Sequence, residues 1–151
     1  MYISFIGHHI LPYPSDFIEK EITNTIKSFA DKTNETLSLL CGGYGGFDEI
    51  ALFCGHKLKQ CNNNIRLVFV TPYIDEKYLK SKLLDEDRYD EIIYPEEYIK
   101  IPKFAISQRN KYMIDKSDYI IAYVNPLLPG NAIKSLEYAK RQNKTIKNIF
   151  H

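Results

Sequence analysis

Gly42, Gly43, Gly45 and Gly46 place four of the chain's seven glycines within five positions. An apolar run, Leu37 to Leu40, precedes them, and an apolar-periodic run, Phe47, Ile50, Ala51, Cys54, Leu58, follows. A strand, a glycine turn and a helix start in that order can cradle an anion. Glycine lets the backbone reach positive φ and approach a ligand closely. Exposed N–H groups and the helix dipole then favour a phosphate or carboxylate. The spacing is not G-x-G-x-x-G, and no Gly-Lys-Ser/Thr follows, so neither standard nucleotide fingerprint is met. A tight strand-to-helix turn that binds nothing would need the same glycines. Tyr44, between them, is placed to stack on a base or to shield the loop. Asp48 and Glu49 fall in the first helical turn, where a carboxylate complements the dipole. One of them can also bind a ribose hydroxyl or act as a general base, with Asp48 preferred for ligand contact.

These residues need elements to hold them, and the chain reads as alternating strands and helices. Tyr2 to Ile6 is a short β-rich run ended by Gly7. Ser15 or Asp16 can cap a helix with the stripe Ile18, Ile22, Ile26, Phe29, and Asp16 with Glu19 outlines a capping box. Thr36 to Leu40 is the second strand and Phe47 to about Cys61 the second helix. Arg66 to Val70 is a third strand, a continuous apolar run of the kind buried on both faces of a parallel sheet. Tyr78 to Leu84 reads as a short helix, Asp85 to Arg88 as a solvated charge cluster, and Glu91 to Tyr94 as a short strand. Ile106 to Asp115 is helical, Tyr119 to Val124 a strand, and 125 to 131 a loop. Ala132 to Gln142 is a helix, and Thr145 to Ile149 closes the sheet.

This alternation implies βαβ units: a Rossmann-like α/β fold, a three-layer α/β/α sandwich with a mainly parallel sheet, occupying residues 1–151 as one domain. Ligands in such folds bind outside the carboxyl ends of the strands, where strand order switches. Three loops are expected to meet there: Gly7-His8-His9, Gly42 to Gly46, and Pro129-Gly130-Asn131.

Composition narrows the partners. A formal net charge of +1 argues against a broad nucleic-acid-binding face. No apolar run approaches the ~20 residues that span a bilayer, and the N-terminus lacks the basic region of a signal peptide. Cys41, Cys54 and Cys61 have no zinc-like spacing and suit a reducing, cytoplasmic setting. His8, His9, His56 and His151 form no metal cluster, and no cofactor is implied.

Three segments together resemble a known family. They are Gly7-His8 after the first strand, Gly-Gly-Tyr-Gly-Gly-Phe-Asp-Glu after the second, and Arg109-Asn110 through Ser117-Asp118 before the penultimate strand. They are similar to the SLOG superfamily, the Rossmann-like group that includes DprA, the Lonely-guy phosphoribohydrolases and small YpsA-like bacterial proteins. Tyr89-Asp-Glu-Ile-Ile-Tyr-Pro95 and Glu137-Tyr-Ala139 resemble the small YpsA-like branch. The resemblance covers nearly the whole chain and implies a site for a nucleotide or nucleotide-derived ligand.

Carried over by position, Arg109 stands four before Met113, as the catalytic arginine of Lonely-guy enzymes stands before a methionine. Their Pro-Gly-Gly-x-Gly-Thr-x-x-Glu appears here as Pro129-Gly-Asn-Ala-Ile-Lys-Ser-Leu-Glu137, with Asn131, Ile133 and Lys134 departing from it. The YpsA-like pattern fits better, through Gly130, Ser135, Tyr138 and Ala139. Arg109 is thus a candidate phosphate clamp, since guanidinium offers a planar fork to phosphate oxygens; the alternative is an ion pair with Asp115 or Asp118. Asn110 is a candidate ribose or base contact. His8, with an intrinsic pKa near neutrality, is a candidate proton donor or ligand contact, or a structural histidine bonded to a loop.

Three functions follow as expectations. The first is a binding protein or sensor for a nucleotide-like small molecule, held by Gly7, His8, the glycine loop, Asp48, Arg109, Asn110, Gly130, Asn131 and Ser135. The second is an N-glycosidic hydrolase of nucleoside monophosphates, with Arg109 on the phosphate and Glu49 or Glu137 as catalytic carboxylate. The third is a protein-interaction or DNA-associated role. A homodimer paired through a helix face is the expected oligomer.

Overall fold

The computed structural model describes residues 1–12, 14–83 and 87–151. Its sheet has six strands in the order β4-β3-β2-β1-β5-β6, every pair parallel. The strands are β1 (Tyr2–Gly7), β2 (Leu37–Cys41), β3 (Ile65–Val70), β4 (Glu91–Ile93), β5 (Tyr119–Tyr123) and β6 (Ile146–Asn148). The helices between them are α1 (Asp16–Ala30), α2 (Gly46–Lys59), α3 (Glu76–Lys82), α4 (Ala105–Lys116) and α5 (Asn131–Arg141), with a 3-10 turn at Pro102–Phe104 leading into α4. The sheet is wholly rather than mainly parallel. The chain steps outward from β1 to β4 and returns to the other side of β1 with β5, so the order switches between β1 and β5.

Alternation along the strands explains the continuous apolar runs. Ile3 and Phe5 of β1, with Leu37, Leu39, Ile65, Leu67 and Ile121, pack against Ile18, Ile22 and Ile26 of α1 and Phe47, Ala51 and Cys54 of α2. On the other face, Ile6, Ile120, Ala122 and Val124 meet Ile114 of α4 and Leu136 and Ala139 of α5. Leu40, Val68 and Val70 meet Met113. Both faces are covered, so each central strand needs apolar residues at successive positions. Burial at about 25 cal/mol per Å² makes these two layers the main stabilising term.

Most element bounds fall within two residues of the sequence reading, and the departures have local causes. Ser15 occupies the N-cap of α1 but makes no side-chain cap bond, while Glu19 pairs with Lys57 of α2 at 3.4 Å, so the capping box does not form. Arg88 is not solvated: its Nη2 donates to both Glu49 oxygens, at 2.7 and 2.8 Å. Asp85, Glu86 and the expected helix end at Leu84 lie outside the described residues. Asp118 accepts the Tyr2 N–H at 2.8 Å and fixes the start of β1. No helix among the described residues is long and apolar enough to cross a membrane.

Candidate functional site

β1 and β5 stay paired to their last residues, Gly7 and Tyr123, and a cavity of about 300 Å³ lies over the end of β1, between it and the helices α4 and α5. Its walls are Ser4, Ile6, Gly7 and His8 from β1 and its loop, Ile106, Arg109, Asn110 and Met113 from α4, and Pro129, Gly130, Asn131 and Ser135 at the start of α5. Tyr44 and Asp48 close the side towards β2. The three expected loops therefore do converge. A second cavity of about 250 Å³ lies between α4 and α5. Asn110, Asn131 and Ser135 line both.

The glycine loop serves the cavity indirectly. Of its residues only Tyr44 lines the space, and Gly42, Gly43, Gly45 and Gly46 do not. Two of its amides are already used: the Gly46 N–H donates to His9 O at 2.7 Å and the Tyr44 N–H to Asp48 Oδ2 at 3.1 Å. Lys82 Nζ donates to Gly43 O at 2.9 Å. The Tyr44 ring, 52% exposed, leans on His9 with centroids 5.0 Å apart. This loop packs the β1 and β2 ends together: Gly45 and Gly46 allow the close approach to His9, and Gly43 the approach to Phe69. Neither α2, with N-cap Gly45, nor α5, with N-cap Gly130, has a side-chain cap bond, but only at α5 do the N-cap and the first helical residues line the cavity. Backbone N–H groups and the dipole at such an end favour an anion.

Arg109 is 2% exposed. Its Nη1 donates to Gly42 O and Val70 O, both at 2.8 Å, and its Nε to Asn110 Oδ1 at 2.9 Å. The guanidinium thus ties the ends of β2 and β3 to α4. It pairs with neither Asp115 nor Asp118. Asp115 accepts the hydroxyls of Tyr98 and Tyr138 at 2.6 and 2.8 Å; that bond, then burial, raises the Tyr98 phenol to about 12, and burial, then that bond, raises Tyr138 to about 12. Nη2 has no hydrogen-bond partner among the described residues and stays available. A Cβ built on Gly42 would lie 3.3 Å from Nη2 and 3.2 Å from Asp48 Oδ2, so the two charges flank that glycine. Burial lowers the Arg109 pKa, opposed by the Asp48 charge. Burial also pushes Asp48 up to about 6, against the Tyr44 N–H and the Arg109 charge. A carboxyl near that value exchanges protons readily close to neutrality.

The other carboxylates stand apart. Glu49, 54% exposed on its side chain, is held by Arg88 and does not line the cavity. Glu137 is exposed and faces the second cavity, beside Lys134 and Arg141. His8 Nε2 accepts the Asn125 N–H at 2.7 Å, which requires the neutral ring with its proton on Nδ1. Burial lowers its pKa. Cys41 is buried and desolvation pushes its thiol well up, so it is an inert small hydrophobe. Among the described residues no three His, Cys, Asp or Glu side chains gather as a metal-binding group.

Residues missed by the sequence reading include Ile106, Met113 and Ser4. The signal for Ser4 was present, as a lone hydroxyl inside the apolar first strand.

Sheet order, switch-point cavity and the α5 start define a Rossmann-like α/β protein with a ligand-sized site at the carboxyl edge of its strands. The model of the YspA SLOG family (YpsA) matches residues 14–150, and the chain belongs to that family. It is similar to the uncharacterized SPbeta prophage-derived protein YoqJ of Bacillus subtilis (strain 168), 28% identical over 82% of this chain and 81% of that one. The solved structure of DNA processing protein A (DprA) from Streptococcus pneumoniae superposes with a TM-score of 0.65 at 14% identity. The match covers 96% of this chain and 48% of DprA, so the chain spans about half of that protein. That likeness shows the shared fold.

Proposed function

We propose that this protein binds a nucleotide or nucleotide-derived small molecule in the switch-point cavity and acts as a sensor or regulatory binding protein. The observation that carries this reading is one cavity combining an uncapped α5 start, a buried Arg109 with an uncommitted Nη2, and an apolar wall of Ile6, Ile106 and Met113. Such a site suits a ligand with an anionic end and a flat or apolar end. Membership of the SLOG family supports it. Gly130, Asn131 and Arg109 take the phosphate in this reading, and Gly7, His8, Asn110 and Ser135 shape the remainder. The residues act within one domain, in a reducing cytoplasm that suits three free thiols. Native mass spectrometry of the purified chain with nucleoside mono-, di- and triphosphates, dinucleotides and cyclic nucleotides tests it. A retained adduct is expected, and no adduct at millimolar ligand sinks it.

A second reading, hydrolysis of a nucleoside monophosphate's N-glycosidic bond, is supported by one observation. Asp48 lines the cavity with a pKa raised to about 6, which suits a general acid or base. Asp48 would carry this chemistry in place of Glu49 or Glu137. Free base accumulating above background would move this reading to first place. A DNA-associated role, of the kind the name DNA processing protein A indicates for that protein, finds less support in a net charge of +1. A gel shift with single-stranded DNA at low salt separates it from the first two.

A further inference from the structure

We propose that Ser4 forms the floor of the cavity and hydrogen-bonds an uncharged polar edge of the ligand, so that a nucleotide inserts base first and leaves its phosphate at the start of α5. This deepens the nucleotide reading and rests on it.

Ser4 is 1% exposed, and its Oγ has no hydrogen-bond partner. An unpaired buried hydroxyl costs about 1–3 kcal/mol, and a native structure normally satisfies such groups. The residue stands in the middle of β1. Its neighbours Ile3 and Phe5 face α1 and α2, so alternation turns Ser4 towards α4 and α5, where it lines the cavity. An alanine would fit there with no orphaned group. A serine makes sense where an incoming molecule supplies the partner.

The chemistry of that partner follows from what surrounds the hydroxyl. Ile6, Met113 and Ile114 share the lining with it. A phosphate lodged against those three side chains would lose its hydration, and the Arg109 guanidinium of the same lining is anchored at the ends of β2 and β3. A base edge would not, because its ring is apolar and its heteroatoms need only one or two bonds. The Ser4 hydroxyl can donate and accept. Asn110 adds a second polar contact of defined sense. Its Oδ1 is occupied by Arg109 Nε at 2.9 Å, which leaves the Nδ2 donor uncommitted. From Ser4 to the end of β1 at Gly7 is three residues, roughly 10 Å of strand. That depth accommodates a nucleoside standing between the floor and Gly130-Asn131.

The test measures AMP, GMP, CMP, UMP and ribose 5-phosphate binding to the full chain by titration calorimetry, in wild type and Ser4→Ala. The variant removes one unpartnered atom, so its thermal midpoint is expected to equal or exceed that of wild type, which confirms folding. The tightest of the four nucleotides is expected to lose about tenfold in affinity, the scale of one hydrogen bond. Ribose 5-phosphate, which has no base to reach the floor, is expected to bind both proteins equally. Unchanged nucleotide affinity in Ser4→Ala overturns the floor contact and leaves the nucleotide reading standing. Equal losses for nucleotide and ribose 5-phosphate overturn base-first insertion. Failure of wild type to bind any of the four nucleotides overturns this inference, and the nucleotide reading falls with it only if the di- and triphosphates, dinucleotides and cyclic nucleotides also fail to bind.

Discussion

Asn125 donates its backbone N–H to Nε2 of His8 at 2.7 Å, across 117 residues of sequence. This bond joins the loop after β1 to the loop after β5, both of which line the cavity. It needs a neutral imidazole, and burial lowers the His8 pKa accordingly. A histidine with a depressed folded-state pKa contributes stability that is present above its unfolded value near 6.5. That contribution is lost as the pH falls through the folded-state value. In His8→Ala, unfolding free energy by urea is expected to drop by about 1 kcal/mol at pH 8. The gap between variant and wild type should shrink at pH 5. A gap independent of pH would contradict the bond.

Arg109 illustrates how a ligand-directed and a structural role coincide. Removing it leaves the buried carbonyls of Gly42 and Val70 without their donor. Arg109→Ala is expected to lose about 3 kcal/mol or more of stability in chemical denaturation. Arg109→Lys keeps a charge but cannot reach both carbonyls and Asn110 together, so it should fall between the two. Stability unchanged in Arg109→Ala would refute the tie. Loss of ligand in that variant would report loop collapse as well as a lost contact, so Asn131 variants test the phosphate end more cleanly.

Gly7 and Gly130 line the same cavity for opposite physical reasons. A Cβ on Gly7 would lie 2.2 Å from Cγ of Phe47, itself 1% exposed and unable to withdraw. Gly7→Ala is expected to cost ~3 kcal/mol or more through overpacking. A Cβ on Gly130 meets no atom within 4 Å, but its φ of 134° lies in a region that L side chains rarely adopt. Gly130→Ala is expected to cost about 1–3 kcal/mol from backbone strain alone, with nucleotide affinity falling alongside. A double-mutant cycle with Phe47→Ala, which removes Cγ and Cδ2, separates the mechanisms: its loss should be less than additive with that of Gly7→Ala and additive with that of Gly130→Ala.

Asp48 titrates near 6 in the folded chain against an ordinary 3.8. The native state then binds the proton more tightly than the unfolded state, so between those values stability falls as the pH rises. Wild type is expected to lose about 2 kcal/mol relative to Asp48→Asn on going from pH 4.5 to pH 8. The side-chain carbonyl of asparagine still accepts the Tyr44 N–H, so the comparison isolates ionisation. Parallel pH profiles for the two proteins would place the Asp48 pKa at its ordinary value.

Much of the architecture was readable from local pattern. The apolar runs at Leu37–Leu40 and 65–70 mark strands because both faces of the sheet are covered, and the stripe Ile18, Ile22, Ile26 marks a helix because one face is. Helix and strand periods are local properties of the chain, and so are the segments by which the SLOG family was recognised. That the order switches beside β1 does not follow from the alternation, because βαβ units are compatible with more than one strand order.

The site was legible only in part. Gly7, His8, Tyr44, Asp48, Arg109, Asn110, Gly130, Asn131 and Ser135 do meet at one cavity. The glycine loop was the clearest sequence signal, yet two of its amides turn to His9 and Asp48, and the helix start that lines the cavity is that of α5. Whether a backbone N–H is free depends on which acceptor another loop brings to it, and no spacing rule contains that. Arg109 finds its carbonyls 67 and 39 residues away. Glu49 is drawn to Arg88, 39 residues off, away from the cavity. Ser4 is an ordinary strand residue until the sheet buries it beside an open space with no partner. Local periodicity determined the elements and the family. Only the packing of distant segments decided which polar groups are spent on the fold and which remain for a ligand, because a hydrogen bond is a property of a pair.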